Sequence, residues 1–300
     1  MMLVWSMLVS SAFAYVDPAC SAIADTDGDG VAGPAPEGYS EVQQNNYLLN
    51  FYSLATTFSA LHGPIPHEPG TGSMGLEMSM MPALPCEKRL VLSYTKTEDT
   101  NKTPVLPRPR GSFAFPSIDL ANGKSIVPYA GFGYVPPVPI GGTRNVMISM
   151  EAGAGYADLA DGKWQAGLRY HATLMRTVGE IATPFDIEDP AYIDLYLGST
   201  FGLDGSLGYK SGNFTHYGSL GWLDVSTFFY IDDDAVVSNN TVPYAGPTIS
   251  LGSQWKAKEF LDVAGEFYAA PTTFFDLEGF NISPKDGSIY TVRFKVGYLF

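Results

Sequence analysis

The chain has 300 residues, 45% of them apolar but only 16% charged, against a usual quarter or so. Its 31 acidic and 17 basic residues leave a formal net charge of −14, which argues against nucleic acid, a partner that needs a basic surface. No apolar run approaches the roughly eighteen residues of a membrane-spanning helix, and the abundance of Gly (32), Tyr (18), Phe (18) and Pro (22) suits twisted strands and turns.

Residues 1–14, MMLVWSMLVSSAFA, form a short apolar run closed by Ala12-Phe13-Ala14. This is the A-x-A ending of a signal peptide, although no Lys or Arg precedes the run. Residues 15–40, rich in Asp, Gly, Ala and Pro, read as an acidic extended linker. Within it, Asp25, Asp27 and Asp29 place carboxylates at alternate positions before Gly30, the opening of an oxygen-ligand Ca²⁺ loop. Pro36 stands where such a loop needs its closing acid, so a plain acidic linker is the competing reading. Cys20 and Cys86 are the two cysteines and would either form one staple or stay free. Ser40-Glu-Val-Gln43 has the form of a capping box. Leu48, Phe51, Leu54, Ala55, Phe58, Leu61 and His62 then recur at helical spacing up to Gly63-Pro64, predicting an amphipathic helix over 41–62.

From Gly72 onward the period becomes two. Met74, Leu76, Met78 and Met80 alternate with Ser73, Gly75, Glu77 and Ser79, and the same dyad returns to the end of the chain. Strands are predicted near 72–81, 108–119, 125–135, 146–158, 163–177, 196–209, 213–229, 243–257, 259–271 and 287–300. Short turns fall at 121–124, 160–162, 210–213 and around Lys258, between long connections at 82–107, 136–145, 178–195, 230–242 and 272–286. Residues 88–96 read as a hairpin extension inside the first long connection; one more strand there and another elsewhere would make twelve. Val-Pro-Tyr-Ala-Gly occurs at 127–131 and again at 242–246, in both cases where a strand opens.

The last strand alternates Tyr290, Val292, Phe294, Val296, Tyr298 and Phe300 with Thr291, Arg293, Lys295, Gly297 and Leu299. This ending resembles the C-terminal signal of Gram-negative outer-membrane β-barrels, which the barrel-assembly machinery reads in that family. The chain is also similar to a loose group of exported barrels that carry a helix before the first strand. The resemblance implies export to the bacterial outer membrane, lipid against the outer face and no particular activity. The expected fold is therefore all-β: a transmembrane antiparallel up-and-down β-barrel of ten strands, alternatively twelve, over 72–300. Tyr134, Trp164, Tyr170, Trp222, Phe228, Trp255 and Tyr298 would supply its interfacial girdles.

Strand parity points Glu77, Arg108, Arg110, Glu151, Arg169, His171, Asp204, Asp262, Glu266, Arg293 and Lys295 into the lumen, with Arg293 and Lys295 facing Glu77 across the closing seam. Buried charges of both signs should pair. The first functional expectation is a structural barrel or narrow passive channel for small polar solutes. The second is a closed barrel that binds through acidic extracellular loops such as Asp232–Asp234. An enzyme is not expected. No G-x-S-x-G, P-loop, H-E-x-x-H or C-x-x-C occurs, and His62, His67, His171 and His216 have no zinc spacing. A ten-stranded protease resembling the omptins would need His and acids at the loop rim, which these positions do not supply. A helix about 10 Å across fits twelve strands better than ten, leaving 41–62 to plug the mouth, lie on the inner leaflet or bind another protein.

Overall fold

The computed structural model describes residues 50–80, 90–91, 96–98, 105–120, 124–140, 143–159, 162–179, 182–184, 193–231, 235–238, 244–271 and 289–300. Ten long strands form: β1 Gly72–Met80, β2 Val105–Ala114, β3 Ser125–Ile140, β4 Thr143–Leu159, β5 Trp164–Gly179, β6 Asp194–Ser211, β7 Phe214–Ile231, β8 Tyr244–Lys258, β9 Leu261–Ala270 and β10 Ile289–Leu299. Each pairs antiparallel with its neighbour in sequence, and β1 pairs with β10 to close the ring. The closing seam sets Met74 opposite Tyr298 and Glu77 opposite Lys295. Closure leaves no terminal strand in the ring with an unpaired neighbour, which is what a spanning sheet requires.

The ring has ten strands and not twelve. Two short strands decorate its rims: Ile118–Asp119 beside β3 and Ala235–Ser238 folded back on β7. A separate three-stranded sheet joins Leu90–Val91, Lys96–Glu98 and Ala182–Pro184, so two long connections meet above the ring. Within 136–145, expected as a long connection, residues 136–140 instead continue as strand in β3 and 143–145 as strand in β4. A register shift between Val135 and Val138 absorbs Pro136 and Pro137, which have no N–H to give the ladder.

The dyad puts apolar side chains outside. On β5, Trp164, Leu168, Tyr170 and Leu174 are exposed while Gln165, Arg169, His171 and Thr173 are buried. From Trp164 to Leu174 the outward face is apolar over about 25 Å, taking roughly 3.3 Å per residue and a tilt near 40°. Exposed Leu168, Leu220 and Leu251, each more than half accessible, would be a liability on a water-soluble monomer and are the expected surface against lipid. Aromatic pairs line the short-turn rim: Trp164 with Tyr209, Phe214 with Trp255, and Phe260 with Tyr298. The turns below them are tight; Gly162 and Gly212 take φ of 72° and 59°, which suits glycine.

The predicted helix ends earlier than its periodicity suggested. Among the described residues it covers 50–56 and ends there, and 57–69 run on without helix or strand. Residues 41–49 lie outside the described set. The reason is a change of hydrogen-bond partner: beyond Thr56 the carbonyls bond to side chains of the barrel wall, and Leu61 takes a φ of 50°. The helical residues 50–56 themselves lie within the ten-stranded lumen, with Phe51 and Leu54 packed against its wall.

Candidate functional site: the filled lumen

The lumen is crossed from one mouth to the other by residues 50–69. At its upper end Phe51 and Leu54 pack into an apolar layer formed by Leu106, Val135, Met147, Met175, Tyr196 and Phe229. Ser53 Oγ lies 2.9 Å from the Tyr196 hydroxyl, and Thr57 Oγ1 lies 3.1 Å from Thr200 Oγ1. Lower down, Leu61 N donates to Glu266 Oε2 at 3.2 Å and Gly63 N to Gln254 Oε1 at 3.1 Å. Gln254 Nε2 in turn donates to the Pro66 carbonyl at 2.8 Å, and His67 Nε2 meets Ser112 Oγ at 2.7 Å.

Four guanidinium groups fasten this segment by its main chain. Arg108 Nη1 donates to the Thr56 carbonyl at 2.9 Å and Nη2 to that of Thr57. Arg110 takes the carbonyls of Ser59 and Ala60 at 3.1 and 2.8 Å, and Arg169 that of Phe58 at 3.1 Å. Arg293 donates to Leu54, Ala55 and Thr57. The last carbonyls of any helix lack intrahelical donors and carry the negative end of its dipole, so cations belong there. Arg108 and Arg110 both stack over the Phe58 ring, their guanidinium carbons 5.0 and 4.4 Å from its centroid.

Three of these cations, Arg108, Arg110 and Arg169, are paired with wall acids. Glu77 accepts from Arg108 Nε at 3.2 Å, from Arg108 Nη2, and from Arg110 Nη1 at 3.1 Å. Glu151 receives Arg110 at 3.2 Å and Arg169 at 2.9 Å, and Asp204 receives Arg169 through Nε and Nη2. His62 Nε2 stands 3.4 Å from Glu151, and His171 Nε2 stands 3.4 Å from Asp204. Lys295 pairs with Asp262 at 2.7 Å, and Tyr217 donates to Glu266 at 3.0 Å. All eleven residues assigned to the lumen by parity are buried. Their partners differ from the expectation at the seam. Lys295, although opposite Glu77, turns to Asp262 on β9, and Arg293 turns to the lumen segment. Glu77 is already saturated by two arginines from β2.

Sequence reading missed Asp194, Tyr217 and Gln254 as buried lumen groups, and missed that main-chain carbonyls are the chief partners of the arginines. The i, i+2 spacing of Arg108 and Arg110 put both on one strand face, but nothing local announces a carbonyl 50 to 52 residues upstream. Below the lumen segment a cavity of about 750 Å³ opens at the short-turn mouth, lined among others by Ile65, His67, Lys210, Lys256 and Phe300. Lys256 pairs there with Glu68 at 2.8 Å and holds its carboxyl below the usual range. Of the six outward residues of the last strand, Tyr290, Phe294, Val296, Tyr298 and Phe300 are exposed and Val292 is half-buried. Among the described residues no group of three metal-ligating side chains occurs. Asp25, Asp27, Asp29, Cys20, Cys86, Asp232–Asp234 and the 1–14 and 15–40 segments lie outside the described residues.

A closed antiparallel ring of ten strands defines the class. It is apolar outside and charge-paired inside, with tight turns on one rim and long connections on the other: an outer-membrane β-barrel of the Gram-negative type. No family model matches the chain, and no curated protein matches it by sequence. Among solved structures it is similar to Ail, the attachment invasion locus protein of Yersinia pestis, with 11% identity and a TM-score of 0.27 over 78% of this chain and 100% of that one. It is similar to outer membrane phospholipase A from Escherichia coli, with 11% identity and a TM-score of 0.31 over 77% and 96%. The Pseudomonas putida toluene transporter TodX gives 12% identity and a TM-score of 0.33 over 88% and 77%. At these scores the likenesses say nothing about what this chain does.

Proposed function

We propose that the protein is a closed outer-membrane barrel, stoppered by its own residues 50–69, whose long-connection rim is a surface binding module without enzymatic activity. Export would use residues 1–14, and insertion would follow reading of Tyr290 to Phe300 by the barrel-assembly machinery. One observation carries the reading: the lumen segment is fixed at seven consecutive carbonyls, Leu54 to Ala60, by four guanidinium groups. Each charge-assisted bond contributes about 1.5–3 kcal/mol, so displacing the segment to open a path would cost more than thermal motion supplies. Glu77, Glu151 and Asp204 are engaged with the arginines that hold it, which supports a structural role for them over a catalytic one. Planar-bilayer recording tests the proposal. The intact protein should give no discrete conductance steps, whereas a variant lacking 41–69 should give them. Steps from the intact, folded protein would overturn the closed reading in favour of a narrow passive channel for small polar solutes.

A further inference from the structure

The lumen segment has a direction, and two strands record it independently. Along β2, Arg108 meets Thr56 and Thr57, Arg110 meets Ser59 and Ala60, Ser112 meets His67, and the Ala114 carbonyl accepts from Gly70 N. Along β6, Tyr196 meets Ser53, Thr200 meets Thr57, and a Cβ added at Gly208 would strike the Pro64 ring. Both strands run toward the tight-turn rim, β6 reaching the 212–213 turn and β2 leading toward the turn before β3. The segment therefore descends from the long-connection mouth at residue 50 to the tight-turn mouth at Gly72, which bonds Phe300 main chain to main chain in both directions. In outer-membrane barrels the short turns face the periplasm and the long connections face outward. So residue 50 sits in the outer half of the lumen, and the chain passes inward from there.

We propose that the chain preceding residue 50 leaves the barrel through the extracellular mouth, so that the acidic segment 15–40 is presented on the cell surface and residues 50–69 are the tether holding it. A return through the lumen would bring a second main chain past the level of Phe58 and Leu61. There the space is already filled: Phe58, Leu61, Glu77, Arg108 and Arg293 have 0–1% of their surface accessible. A second pass would also need donors and acceptors for its own backbone, since unpaired peptide groups in such a site cost several kcal/mol each. The guanidinium donors of Arg108, Arg110, Arg169 and Arg293, the strongest the wall offers at that level, already bond the first pass.

Accessibility in cells tests this with the full chain. An epitope tag is inserted between Gly33 and Pro34, and a control tag in the 212–213 turn, with heat-modifiable gel mobility reporting that both variants fold. The Gly33 tag should be bound by antibody on intact cells about as strongly as on permeabilised ones, while the control is bound only after permeabilisation. If insertion prevents folding, Cys20 in a Cys86→Ser background takes its place, with a membrane-impermeant maleimide as probe and the same comparison. A Gly33 tag or Cys20 thiol that reacts several-fold more strongly after permeabilisation, matching the control, overturns the proposal. This readout is independent of conductance. A conducting barrel with an exposed tag would refute the closed reading alone, and a silent barrel with a protected tag would refute surface presentation alone.

Discussion

Replacing Glu77 with Ala should destabilise the barrel by about 3–5 kcal/mol, the cost of breaking a buried ion pair from one side. Glu77 is fully buried and accepts three bonds from Arg108 and Arg110 and one from Ser79. Summing those bonds would overshoot, because neither arginine is left bare. Arg110 keeps Glu151 and two carbonyls, and Arg108 keeps Ser149 and two carbonyls. What is lost is one compensating negative charge for two guanidinium groups, one of which has no other carboxylate. The assay is urea unfolding in detergent micelles, followed by fluorescence of Trp164, Trp222 and Trp255 and by heat-modifiable mobility. The double variant Glu77→Ala/Arg108→Met should recover part of the loss, because it removes the charge that was stranded. A loss below about 1 kcal/mol in the single variant, or a double variant less stable than the sum of the two singles, would refute the claim that this pair is electrostatically closed.

Other consequences are simpler to read. Arg293→Met removes three carbonyl bonds and the contact over the Tyr268 ring; protease added to the purified protein should then cut within 50–69 severalfold faster, with β10 still paired. Gly75→Ala at the closing seam would place a methyl carbon 2.2 Å from the Val296 carbonyl oxygen, so heat-modifiable mobility should weaken or vanish, where Ala at Gly162 or Gly212 should cost only about 1 kcal/mol of turn strain. Tyr217→Phe strips Glu266 of one of its two described donors and should cost about 1–3 kcal/mol in the same urea assay. Asp262→Asn leaves Lys295, 2% accessible, without its carboxylate; a loss larger than that of the paired Asp262→Asn/Lys295→Met variant is expected.

The strands were legible because a half-buried strand writes its two faces into alternate residues, and here one face meets lipid and the other meets charge. Trp164 to Leu174 against Gln165 to Thr173 is enough to set both the strand and the orientation of its side chains. The path of 57–69 was not legible. Phe58, Leu61 and His62 keep helical spacing in sequence, yet the hydrogen bonds that decide the backbone come from Arg110, Arg169 and Gln254, which are remote along the chain. Pro136 and Pro137 misled for a related reason: they read as a connection, but a bulge lets the β3–β4 hairpin carry on past them. The seam pairing erred because cross-strand position predicts neighbours, and a long Lys295 side chain can choose between neighbours on either side.

The lumen segment is enclosed by a ring whose final joint, β1 with β10, unites the beginning and the end of the sheet. A bulky, hydrogen-bonded strip of chain cannot be pushed through such a ring once it is sealed. Residues 50–69 are therefore expected to lie between the strands when the joint forms, with the wall arginines meeting their carbonyls before or during sealing. The expected order of assembly is capture first, closure last. A mutation that loosens the strip then acts twice, once on the finished barrel and once on the chance that it is ever finished.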